Sequence, residues 1–187
     1  MIVAASLIAS CGEKPADSAA DDTPVASFLP SPAPAAEGCG ESGYLRGALF
    51  GAFEGPLDWH GESIDCQGMP RPDSLGARIR FAGIAGDSHA SIALIIAIPG
   101  LERATTASEL PSNVTLIEEG GGRFFSTGDL DSCWTDIERQ VAIDPLGDLY
   151  SIDGRLYCIA PLAEVNGESS LSISELSFSG LLDWSAP

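Results

Sequence analysis

The sequence predicts an all-β domain, an antiparallel β-sandwich or jelly roll of about eight to nine strands, and three observations lead there. Short apolar stretches recur roughly every ten residues, separated by Gly-, Pro-, Asn- and Asp-rich turns. Helix signals are nearly absent. The heptapeptide Phe-x-Gly-x-Leu-Asp-Trp occurs twice, at Phe53–Trp59 and Phe178–Trp184, near the two ends of the folded region. In each copy Phe, Gly, Leu and Trp fall on one side of an extended chain, because alternate strand residues share a face. The two copies are therefore expected to be neighbouring strands of one sheet with the same inward face.

The first strand runs from Tyr44 through Phe53 and on to Trp59, with Leu45, Leu49, Phe53, Leu57 and Trp59 on one face. Pro56 lacks an amide donor and puts the second half of this strand at an edge or in a bend. Residues 60–76, dense in Gly, Pro and Asp, read as a long loop pinned by Cys66. Strands follow at Ala77–Ile84 and at His89–Ile98, the latter apolar on both faces and so central and covered on each side. Leu101–Leu110 carries Thr106 three residues before Glu109, the spacing of a capping box, and reads as one helical turn before Pro111. Asn113–Glu118 and Arg123–Thr127 pair as a hairpin across Gly120–Gly122.

Asp131–Ile143 alternates Cys133, Thr135, Ile137, Arg139, Val141 and Ile143 against Trp134, Asp136, Glu138 and Gln140, so a period of two wins over 3.6. Asp144–Gly147 turns the chain. Leu149–Ile152 and Arg155–Ile159 then read as a hairpin about Asp153-Gly154, a pair suited to the positive φ of a type I′ turn. In the last segment the apolar set Leu171, Ile173 slips by one to Leu176, Phe178, Leu182 and Trp184, which predicts a β-bulge near Ser174–Glu175.

With 27 acidic and 9 basic residues among 187, the net charge is −18. Such a field repels phosphate backbones, so nucleic acid is excluded as a partner. The chain opens with a short apolar run ending in Ile8-Ala9-Ser10-Cys11, far short of the ~20 residues that span a bilayer. This run resembles the bacterial lipoprotein signal peptide with its lipobox. The resemblance covers only the N-terminus and implies cleavage before Cys11, lipidation of that cysteine and anchoring in the cell envelope. In Gram-negative members of the class, Gly rather than Asp at position 12 implies the outer membrane. No Lys or Arg precedes the apolar run, so the natural start is expected a few residues earlier. The expected organisation is a signal peptide over 1–10, a lipidated disordered tether over 11–38, rich in Pro, Ala, Ser and Asp, and one sandwich domain over 39–187.

In an exported chain the remaining cysteines, Cys39, Cys66, Cys133 and Cys158, read as two disulfides, with three connectivities open. Cys39–Cys66 and Cys133–Cys158 are expected, since each joins neighbours that a meander brings side by side. Their spacing does not suit a zinc site.

No motif declares a reaction. Gly61-Glu62-Ser63-Ile64-Asp65 lacks the second glycine of a nucleophile elbow, and His60 reads as a solvated loop histidine and His89 as a strand-start histidine. For a structural calcium ion the carboxylates to weigh are Asp129, Asp131 and Asp136, with Asp144 and Asp148 as a second group, though neither has the spacing of an EF-hand. Trp134, on the polar face of its strand, is the tryptophan best placed to stack on a sugar. The expected function is a lipid-anchored, non-catalytic binding or structural module of the envelope without a cofactor, acting on a protein or glycan partner. The alternatives are a calcium- or glycan-binding module of the same fold and an envelope hydrolase using the 60–76 loop.

Overall fold

The computed structural model describes residues 38–185 except Ser74, Asp87, Ser88, Asp129 and Leu146, and the backbone only of Leu130. Cys11 and Asp129 lie outside the described residues. Thirteen strands occur among them: β1 (Tyr44–Gly51), β2 (Gly55–His60), β3 (Asp65–Pro70), β4 (Ala77–Ala85), β5 (Ala90–Ile98), β6 (Ala107–Pro111), β7 (Asn113–Glu118), β8 (Phe124–Ser126), β9 (Cys133–Ala142), β10 (Leu149–Cys158), β11 (Leu162–Glu164), β12 (Ser170–Ile173) and β13 (Leu176–Asp183). The pairings are antiparallel and form one sheet in the order β3-β4-β5-β7-β8-β11-β12-β1-β13-β10-β9-β6, with β2 paired to β1. The sheet folds over on itself as a sandwich. Phe81 of β4 packs on Phe178 of β13 at 5.5 Å between ring centroids, although six strands separate β4 from β13 in the hydrogen-bonded order. Phe53 meets Phe125 edge-on at 5.7 Å. Both phenylalanine pairs belong to one continuous core.

The twin heptapeptides do not neighbour each other directly. Gly51 (φ +102°) and Gly55 (φ +134°) take conformations that other residues resist, and the chain reverses between them, so the expected first strand is instead the hairpin β1–β2. β1 lies between the copies, with Leu45 opposite Trp59 on one side and Phe178 on the other. The shared inward face is as expected: Phe53, Leu57, Phe178 and Leu182 are all buried.

Residues 60–76 are not one loop. Cys66 and Ile64 find apolar partners, and Asp65–Pro70 pairs with β4 along its whole length. The helical turn expected before Pro111 is strand β6. Its residues pair with β9, Glu109 adopts φ 55°, and a register shift separates Ala107 from Leu110. The outer face of β5 is covered by side chains rather than by a second layer: Ile95 lies in a depression with Gln67, Met69, Arg78 and Arg80. The bulge at Ser174–Glu175 is present, where β12 gives way to β13 and the Ala48 N–H donates to Ser174 Oγ.

Cys39 bonds Cys66, and Cys133 bonds Cys158, the connectivity that the spacing predicts. They close spans of 27 and 25 residues, each worth about 3 kcal/mol through restriction of the unfolded chain.

Candidate functional site

The hairpin about Asp153-Gly154 is replaced by a continuous β10, and the turn that pairs β9 with β10 is the one at residues 143–148. Gly154 is required for close packing rather than for a turn. A Cβ there would come within 2.5 Å of the Asp136 carbonyl oxygen and 2.7 Å of Phe178 Cζ. Opposite it β9 bulges, so the register shifts and Glu138 and Arg139 both face outward. This reverses the expected phase beyond Ile137. Gln140 is buried, while Val141 and Ile143 are about half exposed, at 50% and 53%.

Ahead of the bulge the outer face collects the site. Cys133 stands opposite Cys158, the next pair is Trp134 opposite Tyr157, and Asp136 stands opposite Arg155. The disulfide thus fixes the register immediately beside the aromatic pair. The Trp134 and Tyr157 rings stack at 5.9 Å between centroids and 22° between planes.

Beside Tyr157 opens a groove of about 470 Å³ lined by Ser108, Glu109, Asp136, Arg155, Tyr157 and Glu175. β6 supplies Ser108 and Glu109 from the sheet edge, and the bulge before β13 supplies Glu175. The positive φ of Glu109 turns its N–H toward Asp136, which accepts it at 2.8 Å. Arg155 is held among three carboxylates, by Glu138 at 2.7 Å and more loosely by Glu175 at 3.8 Å and Asp136 at 3.9 Å. Partial burial, then the charges of Asp136 and Glu109, raise the Tyr157 phenol above its ordinary pKa. Folding therefore retains this proton, and the associated stability is complete below the free-tyrosine value of about 10 and is lost as pH rises through the folded value. Asp136→Asn is expected to lower the Tyr157 titration midpoint without fully restoring it, because burial remains the larger cause. NMR titration of the tyrosine ring signals checks this, and an unchanged midpoint contradicts the charge assignment.

The three tryptophans differ in the fate of their indole N–H. Trp59 donates to the Ile84 carbonyl and Trp184 to Gln140 Oε1, each at 2.7 Å. Among the described residues, no protein acceptor faces the Trp134 indole N–H. Trp134 therefore leaves its donor without a protein partner among these residues.

The other residues singled out by sequence are dispersed. Asp131 is exposed in a 3-10 turn, Leu130–Ser132, and Asp136 lies in the groove. Asp144 and Asp148 lie at the β9–β10 turn, where Asp148 is ion-paired with Arg103. Among the described residues no three His, Cys, Asp or Glu side chains converge in the manner of a metal site. The Ser63 hydroxyl donates to the His60 carbonyl oxygen at 2.8 Å, whereas the His60 ring lies 3.7 Å from Asp58. His89 is exposed at a turn with φ 51°. Glu109, Arg155, Tyr157 and Glu175 were not evident as site residues from sequence. Tyr157 follows from Trp134 once the Cys133–Cys158 register is extended by one pair. Glu109 and Glu175 have no local signal, being brought in by β6 and by the bulge. No protein-family model, curated protein or solved structure matches the chain.

Proposed function

We propose that this protein is a non-catalytic glycan-binding module of the cell envelope, tethered through a lipid on Cys11. The observation that carries the reading is the stacked Trp134–Tyr157 pair, with a free indole donor, set beside a groove of carboxylates and a guanidinium. The apolar C–H face of a pyranose packs against an aromatic ring, while fixed charged groups select its hydroxyls by charge-assisted hydrogen bonds. The two disulfides accord with an oxidising compartment, and the lipobox Ile8-Ala9-Ser10-Cys11 supports the tether.

A glycan array probed with the purified protein tests the ligand class. Retention on a subset of glycans is expected, with Trp134→Ala lowering affinity at least about tenfold in a variant that still unfolds cooperatively, a loss of the size seen for an aromatic anchor. An array silent throughout, or a Trp134→Ala variant that binds as before, rejects the reading. For the tether, a fatty-acid analogue fed to producing cells is expected to label the protein but not Cys11→Ser.

A further inference from the structure

The charge of the ligand can be argued from the same groove, and this step rests on the glycan reading above. Asp136, Glu138 and Glu175 hold a single guanidinium, Arg155, and Glu109 lines the same groove, so the site keeps an excess of negative charge. Nearby cations do not offset it. Arg139 is committed to Asp153 and Arg46 to Asp58, and the chain as a whole carries −18. Uronate, phosphate and sulfate groups are therefore repelled from this face, whereas positive groups are attracted. The aromatic pair adds an independent preference of the same sign, because a cation is drawn to the faces of Trp and Tyr rings.

We propose that the glycan bound here is built of amino sugars with free amines. Its pyranose faces stack on Trp134 and Tyr157, and its ammonium groups enter the groove among Glu109, Asp136 and Glu175. A neutral N-acetylated sugar offers the same ring to the aromatic pair but leaves the carboxylates without a cation. A basic peptide offers the charge but no rigid C–H face for the rings.

Calorimetric titration of the full chain with a glucosamine tetramer, its N-acetylated counterpart, a neutral glucose tetramer and tetralysine separates these cases. The titration is run at about pH 5.5, where the sugar amines are protonated. The free-amine tetramer is expected to bind at least about tenfold tighter than the N-acetylated one, with the advantage shrinking as salt rises. Glu109→Gln and Glu175→Gln should each weaken the free-amine ligand about fivefold and by more than they weaken the N-acetylated ligand, with the melting temperature unchanged. Equal or tighter binding of the N-acetylated or glucose tetramer overturns the charge inference and leaves the glycan reading standing. Tetralysine binding as tightly as the amino sugar overturns it in favour of a basic peptide. Failure of all three sugars removes both readings.

Discussion

Phe178→Ala is expected to lower the free energy of unfolding by about 3–5 kcal/mol, the usual cost of emptying a buried phenylalanine site. The position is fully buried and bridges the sandwich. Its ring packs on Phe81 across the core and would lie 2.7 Å from a Cβ at position 154. A phenylalanine laid over a strand glycine supplies the packing that the glycine lacks, so the truncation opens a cavity and also uncovers Gly154. Urea denaturation measures the loss. Phe50→Ala serves as the comparison, since Phe50 is half exposed and its removal should cost under about 0.5 kcal/mol. A loss below about 1 kcal/mol at Phe178 would mean that β4 and β13 do not share a core.

Gly68→Ala should be nearly as damaging, although it adds only a methyl group. The Cβ would stand 2.2 Å from the Leu181 carbonyl oxygen and 3.0 Å from Leu182 Cα. These are backbone atoms that cannot rotate away, so β3 must retreat from β13. Overpacking of this kind costs about 3 kcal/mol, the upper part of its usual range. Gly120→Ala controls for a change of residue with open space around it, and the strain of its positive φ (86°) makes it a conservative control. Thermal unfolding of the two variants gives the comparison, and a Gly68→Ala midpoint equal to that of the parent contradicts the close approach of β3 to β13.

The all-β class, the two disulfides, the β7–β8 hairpin and the bulge at Ser174–Glu175 were legible because each depends on local alternation or on neighbouring turns. Two of the errors came from glycines with two physical uses. Gly154 follows an aspartate and so resembles a tight turn, yet it serves a bulge and the Phe178 ring, which only the folded sheet brings together. Gly51 and Gly55 bound a reversal inside the stretch Tyr44–Trp59, which the alternation of Leu45, Leu49, Phe53 and Leu57 makes read as one strand. Reading Asp153-Gly154 as a turn also split β10 and concealed Tyr157, although the expected Cys133–Cys158 bond already implied Tyr157 opposite Trp134. Within the candidate site, Trp134 was singled out by its polar-face position. Glu109 was assigned to a helical turn because Thr106 mimics a cap, and its strand pairing with β9 is a non-local contact.

The central claim, that the outer face of β9 and β10 around Trp134 and Tyr157 is the binding surface, is most directly tested by the three indole N–H signals in an NMR titration with the glucosamine tetramer. Trp59 and Trp184 hold their donors against Ile84 and Gln140, and Trp134 does not. The account predicts a saturable shift of the Trp134 indole signal with the other two stationary. A saturable shift at Trp59 or Trp184 instead, or no shift at Trp134 while the ligand is bound, would contradict it.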